Sequence, residues 1–235
     1  MEQEKIINVY ESASRATAFS ALMRKVYLWM TMGLAMTALT AAYIAQSPAM
    51  LQAIYGGYTF YILLFAELGL VWYMSARIMK MSFLSAGLVF AVYSILNGAT
   101  LSALAAAYSA EVIAATFFTT AGTFGAMTLA GFVVKRDLST MGRFLFMALI
   151  GLIIATVVNI FVASSALYWG ITYLGVLIFC GLTAYDTQAI KMMMMNYGGE
   201  VNESTMKLAL LGSLRLYLDF VNLFLYLLRI FGGRE

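Results

Sequence analysis

Two aspartates lie inside long apolar stretches of this chain, where carboxylates are rare. Asp186 ends the segment Gly-Leu-Thr-Ala-Tyr-Asp, and Asp219 lies in the apolar run 216–232. A charged carboxylate at the centre of a bilayer costs roughly 2.5–3.5 kcal/mol on insertion scales, so it persists mainly where it lines a polar interior. Two such groups predict a paired site that binds a cation or senses protons.

A pair of carboxylates has a characteristic titration. Two carboxylates in contact cannot both ionise cheaply, so they share one proton and titrate in two separated steps. The upper step can fall near physiological pH, which gives a proton switch in a chain without histidine. The guanidinium of Arg77 or Arg215 would stabilise the deprotonated form.

Simpler alternatives for these charged residues stay open. Asp186 is then a partly hydrated carboxylate near a helix end, and Arg77 is a membrane-surface anchor. Arg215 and Asp219, four residues apart, are then an intrahelical ion pair.

Glu67 is a third acidic group inside an apolar stretch, and it has two interpretations. It either lines an ion path or is a protonated acid that is hydrogen-bonded to a neighbouring helix. We expect hydrogen bonds to neighbouring helices from Asn97 and Asn159 as well.

The chain offers little for catalysis, because it has no histidine for a Ser-His-Asp triad and its one cysteine, Cys180, is in an apolar helix. The run Met192–Met195 is more typical of flexible packing than of metal binding. We therefore expect no enzyme and no cofactor.

The composition indicates a membrane protein. Hydrophobic residues make up 63% of the chain and charged residues 11%, with a mean hydropathy of +0.88. Soluble domains have about 45–50% apolar and about 25% charged residues. The net charge of +3 is too small to indicate nucleic-acid binding. Residues 1–24 are polar, so we expect no cleavable signal peptide. The predicted organisation is a cytoplasmic N-terminal segment, 1–24, followed by one transmembrane domain, 25–235.

Seven stretches are long enough to cross a bilayer, which takes about 20 apolar residues. They are 26–45, 58–76, 83–107, 111–134, 143–163, 166–189 and 208–230. Eleven of the 14 Lys and Arg residues fall in segments on one side of these spans, which predicts a cytoplasmic N-terminus and an outside C-terminus. Because Arg229 and Arg234 oppose translocation, a re-entrant last helix is the alternative.

These predicted boundaries create a difficulty for the aspartate pair. Asp186 would be about 5 Å from the inner end of its helix, whereas Asp219 would be about 16 Å along the next helix. The two side chains would then meet only if the last helix starts below the membrane surface or one helix is broken.

Four segments of the chain resemble the Bax inhibitor family, also called the transmembrane Bax inhibitor motif proteins. They are Ala66–Arg77, Phe124–Ser139, Gly181–Gln188 and Leu216–Gly232. The likeness runs from about Arg24 to the end of the chain and is strongest to the bacterial branch. The connection 190–207 looks longer than in compact bacterial relatives, which weakens the case for a pair of aspartates.

The resemblance implies an all-α membrane fold of seven transmembrane helices, six of them packed as two layers around a central seventh. It implies a pH-sensitive calcium leak channel in the bacterial inner membrane, with calcium as the permeant or weakly bound ion. The paired-aspartate sensor would be Asp186 and Asp219, which would also bind calcium weakly. The latch would be Arg77, and the acidic residue of the ion path would be Glu67.

The resemblance also leaves a second function open. Some bacterial relatives are linked to the regulation of a membrane-bound protease, a role that needs no pore. The alternative is therefore a membrane stress-response protein that modulates a protease or another partner, with the polar segment 1–24 as its contact. In either case the lipid bilayer surrounds the protein, and calcium or other cations are partners in the first.

Overall fold

The computed structural model describes residues 2–197 and 200–233, with side chains from residue 14 onward. The described residues form helices and contain no strand. The helices are α1 (Glu2–Ala45), α2 (Pro48–Tyr55), α3 (Thr59–Arg77), α4 (Phe83–Ala107), α5 (Ala110–Val133), α6 (Ser139–Val162), α7 (Ser165–Tyr197) and α8 (Glu203–Gly232). A single turn of 3-10 helix, Ile78–Lys80, follows α3.

Seven helices of the described chain are long and apolar enough to cross a membrane, namely α1 and α3 to α8. This confirms the all-α class and the seven predicted spans. In α8, 61% of the most apolar window is buried, against 11–39% in the other six. The arrangement of six helices in two layers around this one stays a prediction.

The ends of several helices follow from capping residues. Pro48, the single proline of the chain, begins α2, where its missing N–H costs nothing. Before α8, the Asn202 side chain accepts a hydrogen bond from the Thr205 backbone N–H (3.0 Å), and the Thr205 hydroxyl accepts one from the Asn202 N–H (2.9 Å). Such reciprocal bonds satisfy N–H groups that have no partner inside the helix. The short helix α2 lies between the predicted spans 26–45 and 58–76.

The predicted bounds of the connection, 190–207, were wrong, whereas its length relative to that in bacterial relatives stays a prediction. Helix α7 continues to Tyr197 and α8 begins at Glu203, so the connection is only 198–202. The reason is local: residues 190–197 contain several good helix formers and no glycine or proline before Gly198. Asp186 is then about 16 Å from the end of α7, and Asp219 is about 24 Å from the start of α8. Counted from the ends of their helices, the two distances now differ by about 8 Å instead of about 11 Å.

The helices form two compact units. The first unit consists of Met1–Ala107 and Ile190–Tyr217, and the second consists of Tyr108–Ala189 and Leu218–Glu235. In the first unit, α1 and α4 approach closely at Gly98. A Cβ atom at Gly98 would lie 2.6 Å from the Thr37 carbonyl oxygen, so a larger residue would separate the two helices.

Candidate functional site

Glu67 lies on the side of α3 that faces α4 and is 7% exposed. Its Oε2 atom accepts a hydrogen bond from Asn97 Nδ2 at 3.1 Å, and its Oε1 atom accepts one from Thr100 Oγ1 at 2.9 Å. The predicted hydrogen bonding of Asn97 between helices is confirmed. A carboxyl group inside a span is thus held by two donors from the next helix. The role of Glu67 in an ion path stays a prediction.

The hydrogen bonds continue from Glu67 to two further helices of the first unit. Asn97 Oδ1 accepts a hydrogen bond from the Tyr217 hydroxyl of α8 at 2.9 Å. That hydroxyl is 2.6 Å from Thr37 Oγ1 of α1, and Thr37 donates to the Ser94 carbonyl at 2.9 Å. We call this set, from Glu67 to Ser94, the buried network. Sequence reasoning missed Tyr217, although its position two residues before Asp219 in an apolar helix was a signal.

A second polar contact of the first unit joins the start of α8 to the connection between α3 and α4. Lys207 is only 8% exposed, and its Nζ donates to the carbonyls of Met81 (3.0 Å) and Met79 (3.4 Å). Glu203 is 3.8 Å from Lys207 Nζ and accepts a hydrogen bond from the N–H of Phe83 at the start of α4. Lys207, one of the eleven Lys and Arg residues on the predicted cytoplasmic side, is thus buried and donates to two backbone carbonyls.

The two arginines considered for the latch are both on the surface of the described protein. Arg77 is the last residue of α3 and is exposed. Arg215 is exposed on α8, while Asp219, one turn further along, is 4% exposed. An exposed Arg77 is compatible with a membrane-surface anchor and with a latch, so both interpretations stay open.

The register of α7 and α8 in the second unit bears on the aspartate pair. The rings of Phe179 and Tyr226 are stacked with centroids 5.8 Å apart, and Tyr226 also covers Gly175. The short connection makes α7 and α8 antiparallel. Asp186 follows Phe179 by seven residues and Asp219 precedes Tyr226 by seven residues. Seven residues are close to two helical turns, so each aspartate shares its helix face with the stacked ring.

This register brings Asp186 and Asp219 to the same level on facing sides of antiparallel helices. Asp186 is half-buried and Asp219 is buried. The pairing of the two carboxylates stays a prediction, which the register favours. In the described residues, no group of three or more His, Cys, Asp or Glu side chains is placed to hold a metal ion. Two carboxylates without a third would bind calcium only weakly.

Two of the sequence segments singled out above pack against each other in the second unit. In the segment Phe124–Ser139, a Cβ atom at Gly131 would collide with the Ala184 carbonyl oxygen and lie 3.0 Å from Thr187 Cβ, so any side chain at this position would force α5 and α7 apart. Gln188 accepts a hydrogen bond from the Leu138 N–H (2.8 Å) and donates to the carbonyls of Val134 and Arg136 (both 3.0 Å). Gln188 thus fixes the connection between α5 and α6 beside the helix that carries Asp186.

Seven apolar helices with carboxyl groups inside them define a multi-pass α-helical membrane protein. The family model described as "Inhibitor of apoptosis-promoting Bax1" matches residues 19–235. The chain therefore belongs to the Bax inhibitor family, which confirms the resemblance found in the sequence.

Similar proteins occur in several bacteria. The inner membrane protein YbhL of Escherichia coli K12 is 49% identical over 214 residues, which are 91% of this chain and 92% of that protein. An uncharacterized protein of Deinococcus radiodurans is 43% identical and covers 91% of this chain and 90% of its own length. An uncharacterized protein of Rickettsia prowazekii is 42% identical, with 91% and 89% covered.

Proposed function

We propose that this protein is a pH-sensitive leak channel for calcium or other cations in the bacterial inner membrane. The observation that carries the proposal is the burial of carboxyl groups in apolar helices: Glu67 is 7% exposed, Asp219 is 4% exposed and Asp186 is half-buried. Carboxylate oxygens are ligands that calcium prefers. Because such groups are costly in hydrocarbon, they are typical of ion pathways and proton sensors.

The proposed mechanism separates sensing from conduction. Asp186 and Asp219 share a proton, and loss of that proton changes the charge of the pair. Arg77 latches the second span to the ionised pair. Glu67 supplies the negative field along the ion path, where weak binding allows an ion both to enter and to leave. No chemical step is needed. The N-terminus lies in the cytoplasm, in agreement with the distribution of Lys and Arg.

The test is calcium flux from purified protein in liposomes, measured from about pH 6 to pH 8, the range in which perturbed carboxyl groups titrate. Asp186→Asn and Asp219→Asn should each flatten the pH dependence, because either change removes the shared proton. Glu111→Gln, at an exposed acidic residue in the first turn of α5, is the matched control and should keep the wild-type profile. If both aspartate variants are folded and keep that profile, the proposal that Asp186 and Asp219 sense pH is wrong. If the wild type gives no flux, the leak is wrong.

A second function is supported by the length of α1. This helix has 44 residues, or about 66 Å, which is about twice the thickness of the hydrocarbon core. It therefore extends well outside the membrane, and residues 1–18 precede the match to the family. Such an extension suits a protein that modulates a membrane-bound protease or another partner. Deletion of residues 2–13 should then abolish cross-linking to that partner and its modulation, while Asp219→Asn should not.

A further inference from the structure

Two buried threonine hydroxyls of the second unit have no hydrogen-bond partner among the described residues. Thr187 on α7 is fully buried and Thr128 on α5 is 9% exposed. A buried hydroxyl without a hydrogen bond is unfavourable, because it has lost its bonds to water without gaining others. Four other buried threonines of this unit each donate to the carbonyl four residues earlier, at 2.7–2.8 Å; they are Thr116, Thr120, Thr172 and Thr183. Thr128 and Thr187 do not use this bond, so their oxygens remain available to another group.

The two hydroxyls lie at one helix crossing. A Cβ atom at Gly131 of α5 would lie 3.0 Å from Thr187 Cβ, so Thr187 points at α5. Thr128 precedes Gly131 by three residues, and residues three apart share a helix face about one turn apart. Thr128 and Thr187 therefore flank the same contact between α5 and α7.

Helix α8 reaches the same place with Asp219. Phe124, one turn before Thr128 on the same face of α5, contacts Phe220 with ring centroids 5.5 Å apart. Asp219 is the neighbour of Phe220, and by the register described above it is level with Asp186, the neighbour of Thr187. Two hydroxyls and two carboxyl groups thus gather where α5, α7 and α8 meet in the second unit.

We propose that Thr128 and Thr187 contribute neutral oxygen ligands to a site for a hard divalent cation that the carboxylates of Asp186 and Asp219 complete. The proposal deepens the leak function and rests on it for the choice of calcium. Calcium takes six to eight oxygen ligands. Two bidentate carboxylates offer four and the hydroxyls raise the number to six without adding charge. This keeps binding weak enough for the ion to leave.

The test is calcium binding by purified protein in detergent, measured by equilibrium dialysis and by the calcium-dependent shift of the thermal unfolding midpoint. Thr128→Val and Thr187→Val keep the side-chain shape but remove the oxygen. Each should weaken binding about tenfold, which corresponds to one lost ligand contact of about 1.4 kcal/mol. Thr187→Ser restores an oxygen and should bind calcium like the wild type.

Matched controls are available on the same helices. Thr120→Val and Thr183→Val remove hydroxyls that are already bonded to backbone carbonyls, so calcium affinity should not change. If Thr128→Val and Thr187→Val bind calcium as tightly as the wild type, the proposal is overturned. The same holds if valine raises stability without weakening binding, because the hydroxyls then held only water or nothing. Should a valine variant not fold, the corresponding alanine variant gives the same comparison.

Liposome flux keeps this inference apart from the proposed function. If the wild type gives flux and both valine variants bind calcium as the wild type does, the hydroxyl ligands are refuted and the leak function is not. If the wild type gives no flux but calcium binding is weaker in the valine variants, the site is supported and the leak function is refuted. A wild-type protein that binds no calcium overturns the site.

Discussion

Tyr217→Phe removes one hydroxyl from the buried network and leaves the ring in place. Tyr217 is fully buried, and its ring makes edge contacts with Phe90 and Tyr93, both at 5.7 Å, which phenylalanine keeps. The change is therefore confined to two hydrogen-bond contacts, at 2.9 Å to Asn97 and at 2.6 Å to Thr37.

The magnitude follows from a count of protons. Thr37 and Tyr217 have one hydroxyl proton each, and three contacts compete for them: the Ser94 carbonyl, the contact between the two hydroxyls, and Asn97 Oδ1. Without the Tyr217 hydroxyl, Thr37 still donates to Ser94, and only Asn97 Oδ1 loses its donor. One unsatisfied buried acceptor costs about 1–3 kcal/mol, although hydrogen bonds between membrane helices average only about 0.6 kcal/mol. We expect a loss of about 1–2 kcal/mol in the free energy of unfolding.

The assay is reversible unfolding in mixed detergent micelles, with the free energy of unfolding obtained by titration with SDS. Tyr93→Phe is the matched control, because Tyr93 is a buried tyrosine whose ring contacts that of Tyr217 and which is not a member of the buried network. Its loss should stay within about 0.5 kcal/mol. Thr37→Val should fall between the two, because Tyr217 can still donate to Asn97. A Tyr217→Phe value equal to that of Tyr93→Phe would refute the reasoning.

Three further changes test the other polar groups. Arg77→Ala should raise the basal calcium leak of liposomes, because an ionised aspartate then loses its partner; unchanged flux in correctly inserted protein would favour the anchor interpretation. Glu67→Gln should lower the flux amplitude but not its pH midpoint, because the amide keeps the size and removes the negative field; no change in either would return Glu67 to a packing role. Lys207→Met should cost about 1–3 kcal/mol in the same unfolding assay, because two carbonyls lose their donor. Lys80→Met, at an exposed lysine of the same connection, should stay within about 0.5 kcal/mol, and equal losses would contradict the role of Lys207.

The sequence alone determined the helical class and the number of helices long enough to span a membrane. The predicted span 83–107 is the observed α4, and the prediction 111–134 differs from α5 by one residue at each end. The reason is that the bilayer requires about the same apolar length of every span, so the hydropathy of the sequence shows where each span lies. The burial of Glu67 and Asp219 also followed from the sequence, because a carboxyl group inside an apolar helix avoids hydrocarbon.

Only the tertiary structure decided what these groups touch. Hydropathy does not detect helix that continues beyond the membrane, so the ends of α7 at Tyr197 and of α8 at Glu203 were missed. A lysine is expected at the protein surface, and the burial of Lys207 depends on the carbonyls that the α3–α4 connection places beside it. The bond of Tyr217 to Asn97 likewise depends on how α8 is rotated against α4. Helix rotation and crossing are set by side-chain packing between distant segments, which no local pattern of residues contains.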